Sequence, residues 1–127
     1  MIIKQVTVIV ENKEGRFKEV MDLIASEGIE VDAFSMADTV TRLIVKDPEQ
    51  VKALLEENGY EVDLTDVISV RLSPHHGALS KFLVRVAEEK INFEYMYAYT
   101  TGSGMIFLPS DVEKAEKILE DWENTNS

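Results

Sequence analysis

Two short stretches and one aromatic row carry the residues whose types and spacing could do chemistry. Glu11-Asn12-Lys13-Glu14-Gly15-Arg16-Phe17 stands between an apolar alternation and a helical stripe, so Gly15 lies in a turn that enters a helix. Such a turn leaves backbone N–H groups unpaired at the positive end of the helix dipole, and a carboxylate fits there. Glycine lets a ligand approach the backbone closely. Pro74-His75-His76-Gly77-Ala78-Leu79 has the same placement further along the chain. His75 and His76 are adjacent nitrogen donors, but no other histidine and no cysteine exists to complete a three- or four-donor metal site. No metal and no cofactor is therefore expected, and His76 is read as a donor to a ligand carboxylate. Tyr95, Tyr97 and Tyr99 alternate after Phe93, and their apolar rings with polar tips suit a ligand pocket or a subunit contact. Stacking single-stranded RNA on that row would need a basic frame. Thr101-Gly102-Ser103-Gly104 contains G-x-G between two strand patterns, which makes it a hairpin turn and not a dinucleotide loop. Glu56, Glu57, Glu88, Glu89, Glu116 and Glu120 read as solvated helix faces, with no carboxylate pair placed for acid–base work.

The elements that must position these residues occur twice. A shift of 62 residues carries Gly15 onto Gly77, and carries Val6, Val8 and Val10 onto Ile68, Val70 and Leu72, the alternation of a strand. Phe17, Val20, Met21 and Ile24 fall on Leu79, Phe82, Leu83 and Val86, the stripe of an amphipathic helix. Ile29 and Val31 match Ile91 and Phe93 as second strands, and Leu43-Ile44-Val45 matches Met105-Ile106-Phe107-Leu108 as third strands. Second helices follow. In the first half Asp47 is the N-cap with Pro48 behind it, and Asn58-Gly59 ends the helix. In the second half Ser110 and Glu113 have capping-box spacing before Ala115, Ile118, Leu119 and Trp122. Tyr60 to Leu64 adds a fourth strand to the first half. Glu123-Asn124-Thr125-Asn126-Ser127 is too polar to add one to the second.

With 127 residues the chain suits one compact domain or two very small ones. An excess of 24 acidic over 13 basic residues, −11 in all, repels phosphate backbones and anionic lipid, so neither nucleic acid nor membrane is an expected partner. The N-terminus has no basic region followed by a long apolar run, and the expected location is the cytoplasm.

Glu11 through Phe17, Ser35-Met36-Ala37-Asp38-Thr39, Leu64-Thr65-Asp66-Val67 and Glu94-Tyr95-Met96-Tyr97-Ala98-Tyr99, in that order and spacing, make the chain resemble the tandem ACT-domain proteins over nearly its whole length. The resemblance implies an α+β fold of two ferredoxin-like βαββαβ units in tandem, residues 1–65 and 66–127, packed side by side, the second lacking its last strand. It also implies a non-catalytic regulatory or sensor protein that binds an amino acid where ACT units meet. The implied ligand residues are Asn12, Lys13, Glu14, Gly15, Arg16 and Phe17 in the first turn, and His75, His76, Gly77, Ala78 and Leu79 in the second. Tyr95, Met96 and Tyr97 complete the set from the facing strand. Asn12 keeps the amide that the family places three residues before the glycine, whereas Pro74 offers an ammonium group no side-chain hydrogen bond. Asn12 has a second reading as the N-cap of the first helix. Two other functions remain open at this point: an assembly module without a ligand, and an acylphosphatase-like hydrolase in which Arg16 anchors the anion, although no nucleophile or base is placed beside it. The missing strand leaves an unpaired, aromatic sheet edge, from which a homodimer is expected.

Overall fold

The computed structural model describes residues 1–71 and 78–126. They pack as two units, Lys4–Thr65, and Asp66–Ser127 together with Met1–Ile3.

In the Lys4–Thr65 unit the elements are β1 (Ile2–Ile9), α1 (Arg16–Ser26), β2 (Val31–Ala37), β3 (Val40–Val45), α2 (Pro48–Glu57) and the first part of β4 (Glu61–Arg71). The strand order is β2-β3-β1-β4, that of a ferredoxin-like sheet. β3 runs antiparallel to both neighbours, with Val6 opposite Leu43 and Phe34 opposite Leu43. One sheet face turns Val6, Val8, Leu43, Val45 and Val62 against the stripe of Val20, Ile24, Val51 and Leu55 on the two helices. That face holds the core because alternation and helical spacing bring these apolar residues of each element to one side. Asp47 caps α2, its Oδ1 accepting from Gln50 N–H at 3.1 Å, and Asn58 Nδ2 donates back to Leu54 O at 2.8 Å where the helix stops. The β2–β3 connection is only Asp38 and Thr39. Asp38 adopts φ 53, a left-handed turn conformation that a short polar side chain tolerates.

In the other unit the later part of β4 is followed by α3 (Ala78–Glu88), β5 (Phe93–Ala98), β6 (Gly104–Pro109) and α4 (Val112–Asn126). Phe82 is the hub of its core, edge-on to Phe107 at 5.7 Å and to Trp122 at 5.8 Å. α4 begins one residue later than the capping-box reading allows. Asp111 is the cap, its Oδ1 accepting from Lys114 N–H at 3.0 Å, while Ser110 Oγ accepts instead from Asn92 N–H at 3.1 Å. No strand follows α4 among the described residues. Its sheet position is nevertheless filled, giving the order β1-β4-β6-β5. Ser69 N–H donates to Met1 O at 2.9 Å, the Met1 ammonium donates to Ser69 O at 3.1 Å, and Ile2 N–H donates to Glu116 Oε2 at 2.7 Å. The edge expected to stand unpaired for want of a last strand is therefore corrected: the first three residues of the chain take that strand's place. No described helix is long and apolar enough to cross a membrane.

Candidate functional site

The turn between β1 and α1 is built by Gly15. This residue adopts φ 80 as the N-cap of α1, a conformation in which a side chain at that position would be strained. Gly15 holds the N-cap position and no side chain among the described residues caps the helix, so Asn12 is not the N-cap and that reading is corrected. Inside the turn Lys13 N–H donates to Glu11 O at 2.8 Å and Arg16 N–H to Lys13 O at 3.2 Å. The amides that a capping oxygen would serve, at the second and third helical positions, are Phe17 and Lys18. Asn12, Lys13, Glu14, Gly15 and Arg16 are exposed, and Phe17 is half-buried against Phe34, ring centroids 6.2 Å apart.

Charges alternate across the turn. Lys13 Nζ lies 3.3 Å from Glu11 Oε2, and the Arg16 guanidinium lies 3.9 Å from Glu11 and 3.6 Å from Glu19. Tyr60 closes the row by donating to Glu19 Oε1 at 2.7 Å. Partial desolvation, then the hydrogen bond and charge of Glu19, raise the Tyr60 phenol above its ordinary value, against an opposing pull from Arg16. A recess of ≈ 290 Å³ lies beside this network, lined by Glu11, Arg16, Asn58, Tyr60 and Glu61. Tyr60 and Glu19 were invisible as partners in the sequence, where 41 residues separate them.

The second turn cannot be compared in the same way. Pro74, His75, His76 and Gly77 lie outside the described residues, and Ala78 and Leu79 are placed only as the start of α3. On β5 the aromatic row is shorter than alternation implies. A register shift between Phe93 and Tyr95 sends Phe93 to the helix side, 4.9 Å from Phe107 and nearly perpendicular to it. Met96 joins the same helix-side core. Tyr95 and Tyr97 face the opposite side, their centroids 6.3 Å apart, with Tyr95 half-buried and Tyr97 buried. Tyr95 and Tyr97 thus share a surface that Met96 does not. Tyr99 continues the row, its hydroxyl 2.6 Å from Ser69 Oγ.

A family model described as an ACT domain pair matches residues 1–123. Among solved structures, a protein of Bacteroides thetaiotaomicron superposes with a TM-score of 0.90 at 31% identity, over 97% of this chain and 90% of that one. The ligand-free regulatory subunit of aspartate kinase from Thermus thermophilus gives 0.67 at 21% identity, over 100% and 95% of the two chains. The corresponding subunit from Thermus flavus gives 0.64 at 18% identity, over 95% and 94%. At the last two identities the likeness is one of fold. No curated protein matches the chain.

Proposed function

This chain belongs to the family of ACT domain pairs, and from that membership we propose that it is a non-catalytic sensor whose ligand is an amino acid, held by its carboxylate at the start of α1. One observation carries the reading. α2 and α4 are capped by Asp47 and Asp111, whereas α1 begins at Gly15 without a side-chain cap. A ligand carboxylate supplies the missing oxygen to the Phe17 and Lys18 amides, with the helix dipole behind it. In this reading Asn12, exposed three residues before Gly15, accepts from the ligand's ammonium group. The fold shared with regulatory subunits of aspartate kinase supports a regulatory role. The hydrolase alternative needs a free guanidinium to anchor the phosphate, and Arg16 is already engaged by Glu11 and Glu19.

The test is a thermal-shift panel of the common amino acids, since a ligand that binds only the folded chain raises its stability. Calorimetric titration of the best binder into Asn12→Ala should then show a loss of about 1–3 kcal/mol, the range for a hydrogen bond to a charged group. No cap is lost with Asn12, so the variant isolates ligand contact. A panel in which no amino acid shifts the transition defeats the reading.

Assembly is a second reading, favoured by β2. This edge strand has no charged residue from Ala33 to Ala37, and it exposes Phe34 and Met36. An uncharged apolar edge on an acidic chain suits pairing with a second copy. The homodimer then forms through β2, and sedimentation at tens of micromolar, roughly a typical working concentration, should detect it.

A further inference from the structure

At the end of the sheet beside the turn that opens α1 lies a buried polar group. Thr41 is fully buried, and its hydroxyl has no hydrogen-bond partner among the described residues. Register fixes where it sits. Thr41 pairs with Val8 on β1 and with Met36 on β2. Val8 and Leu43 belong to the core formed with Val20 and Ile24 of α1, so Thr41, two residues from Leu43, faces the helix layer. Its neighbour Val40 pairs with Ile9, and Val10 N–H donates to Thr39 O at 2.8 Å, which puts Thr41 at the end of the sheet where β1 leaves for the Gly15 turn. On the same face Phe34, opposite Leu43, and Met36, opposite Thr41, are exposed by 45% and 54%. A buried hydroxyl without a partner destabilises the free protein, and valine would fill the same space without that cost.

We propose that Thr41 is a specificity residue of the α1 site: its hydroxyl donates to one oxygen of a ligand carboxylate whose other oxygen caps α1, while Phe34 and Met36 hold the ligand's side chain. The inference rests on the amino-acid reading above and narrows it to amino acids with apolar side chains. A hydroxyl free to donate, beneath the positive end of a helix, matches a carboxylate better than an ammonium group. Two exposed apolar side chains on the same face match an aliphatic or aromatic side chain better than a charged one. Met36 is flexible, and its movement opens the approach to Thr41.

The experiment measures the thermal transition of the ligand-free protein and the calorimetric affinities of L-leucine, L-phenylalanine, L-lysine and L-aspartate for wild type, Thr41→Val and Thr41→Ser. Thr41→Val should raise the ligand-free transition by a few degrees and weaken L-leucine or L-phenylalanine about tenfold or more. Thr41→Ser keeps the hydroxyl and should keep the affinity. 3-Methylbutylamine, which is leucine without its carboxylate, should not bind. A lower transition in ligand-free Thr41→Val means the hydroxyl is already partnered, and overturns the inference. So does an unchanged affinity in Thr41→Val, or a wild type that prefers lysine or aspartate; each of these leaves the amino-acid reading standing. Failure of every amino acid to bind wild type overturns both.

Discussion

A methyl group at Gly104 is the sharpest available probe of how the tyrosine row is held. Gly104 is buried at the start of β6, and a Cβ there would collide with Tyr99 Cδ2 and lie 2.8 Å from Cε2. The ring is not free to retreat. Its hydroxyl is 2.6 Å from Ser69 Oγ, the Arg71 guanidinium lies over its face 5.8 Å from the centroid, and Tyr99 N–H donates to Gly104 O at 3.1 Å. Gly104→Ala therefore either strains the strand, at about 1–3 kcal/mol for overpacking, or turns the ring out and forfeits the Ser69 bond, at about 0.5–1.5 kcal/mol. These are alternatives and do not add. The cheaper alternative sets the cost, and alanine regains about 0.5–1 kcal/mol of backbone entropy over glycine, so the net loss is expected at no more than about 1 kcal/mol. Denaturant unfolding of wild type, Gly104→Ala, Tyr99→Ala and the double variant measures it. With the ring gone, Gly104→Ala should become stabilising by the backbone entropy alone, giving a coupling of about 0.5–1.5 kcal/mol with Tyr99. An equal effect of Gly104→Ala in both backgrounds refutes the reasoning.

Asp47→Ala and Asp111→Ala should each cost about 1 kcal/mol in denaturant unfolding through loss of a helix cap; an equal loss of α4 helicity in Ser110→Ala would restore the capping-box assignment. Gly15→Ala should destabilise by about 1–2 kcal/mol from the left-handed backbone alone, because nothing lies within 4 Å of the new Cβ. Gly15→Asn should cost less, and equality of the two would mean that the turn does not hold φ 80. The Tyr60 phenol should titrate above the ordinary 10.0 and move down in Glu19→Gln. Because its folded value is raised, its stabilising contribution is complete below the unfolded value and is lost as pH rises through the folded one, so alkaline unfolding should be shallower in Glu19→Gln. Difference titration against Tyr60→Phe isolates the group, and an unmoved phenol in Glu19→Gln removes Glu19 as a cause.

Local patterns determined much of this protein. Burial of one face has a period of its own, so Val6 and Val8 could only make a strand, which stops one residue short of Val10, and Val20, Met21 and Ile24 only a helix. Repetition of those patterns around Gly15 and Gly77 marked two units, and Asp47 before Pro48 marked a helix start, because capping needs only neighbours in sequence. The turn that carries the candidate site was legible for the same reason. What needed tertiary structure was every choice between partners of equal local merit. Ser110 and Asp111 are both competent caps, and only the backbone of Asn92, which claims Ser110, assigns the role to Asp111. Phe93 shares its parity with three tyrosines, and one register shift sends it to the other face. Met1 finds Ser69 across a separation of 68 residues, for which no local signal exists. Thr41 looks in sequence like any β-branched strand residue. That its hydroxyl is buried without a partner among the described residues follows from what packs around it, and packing is a property of the whole fold.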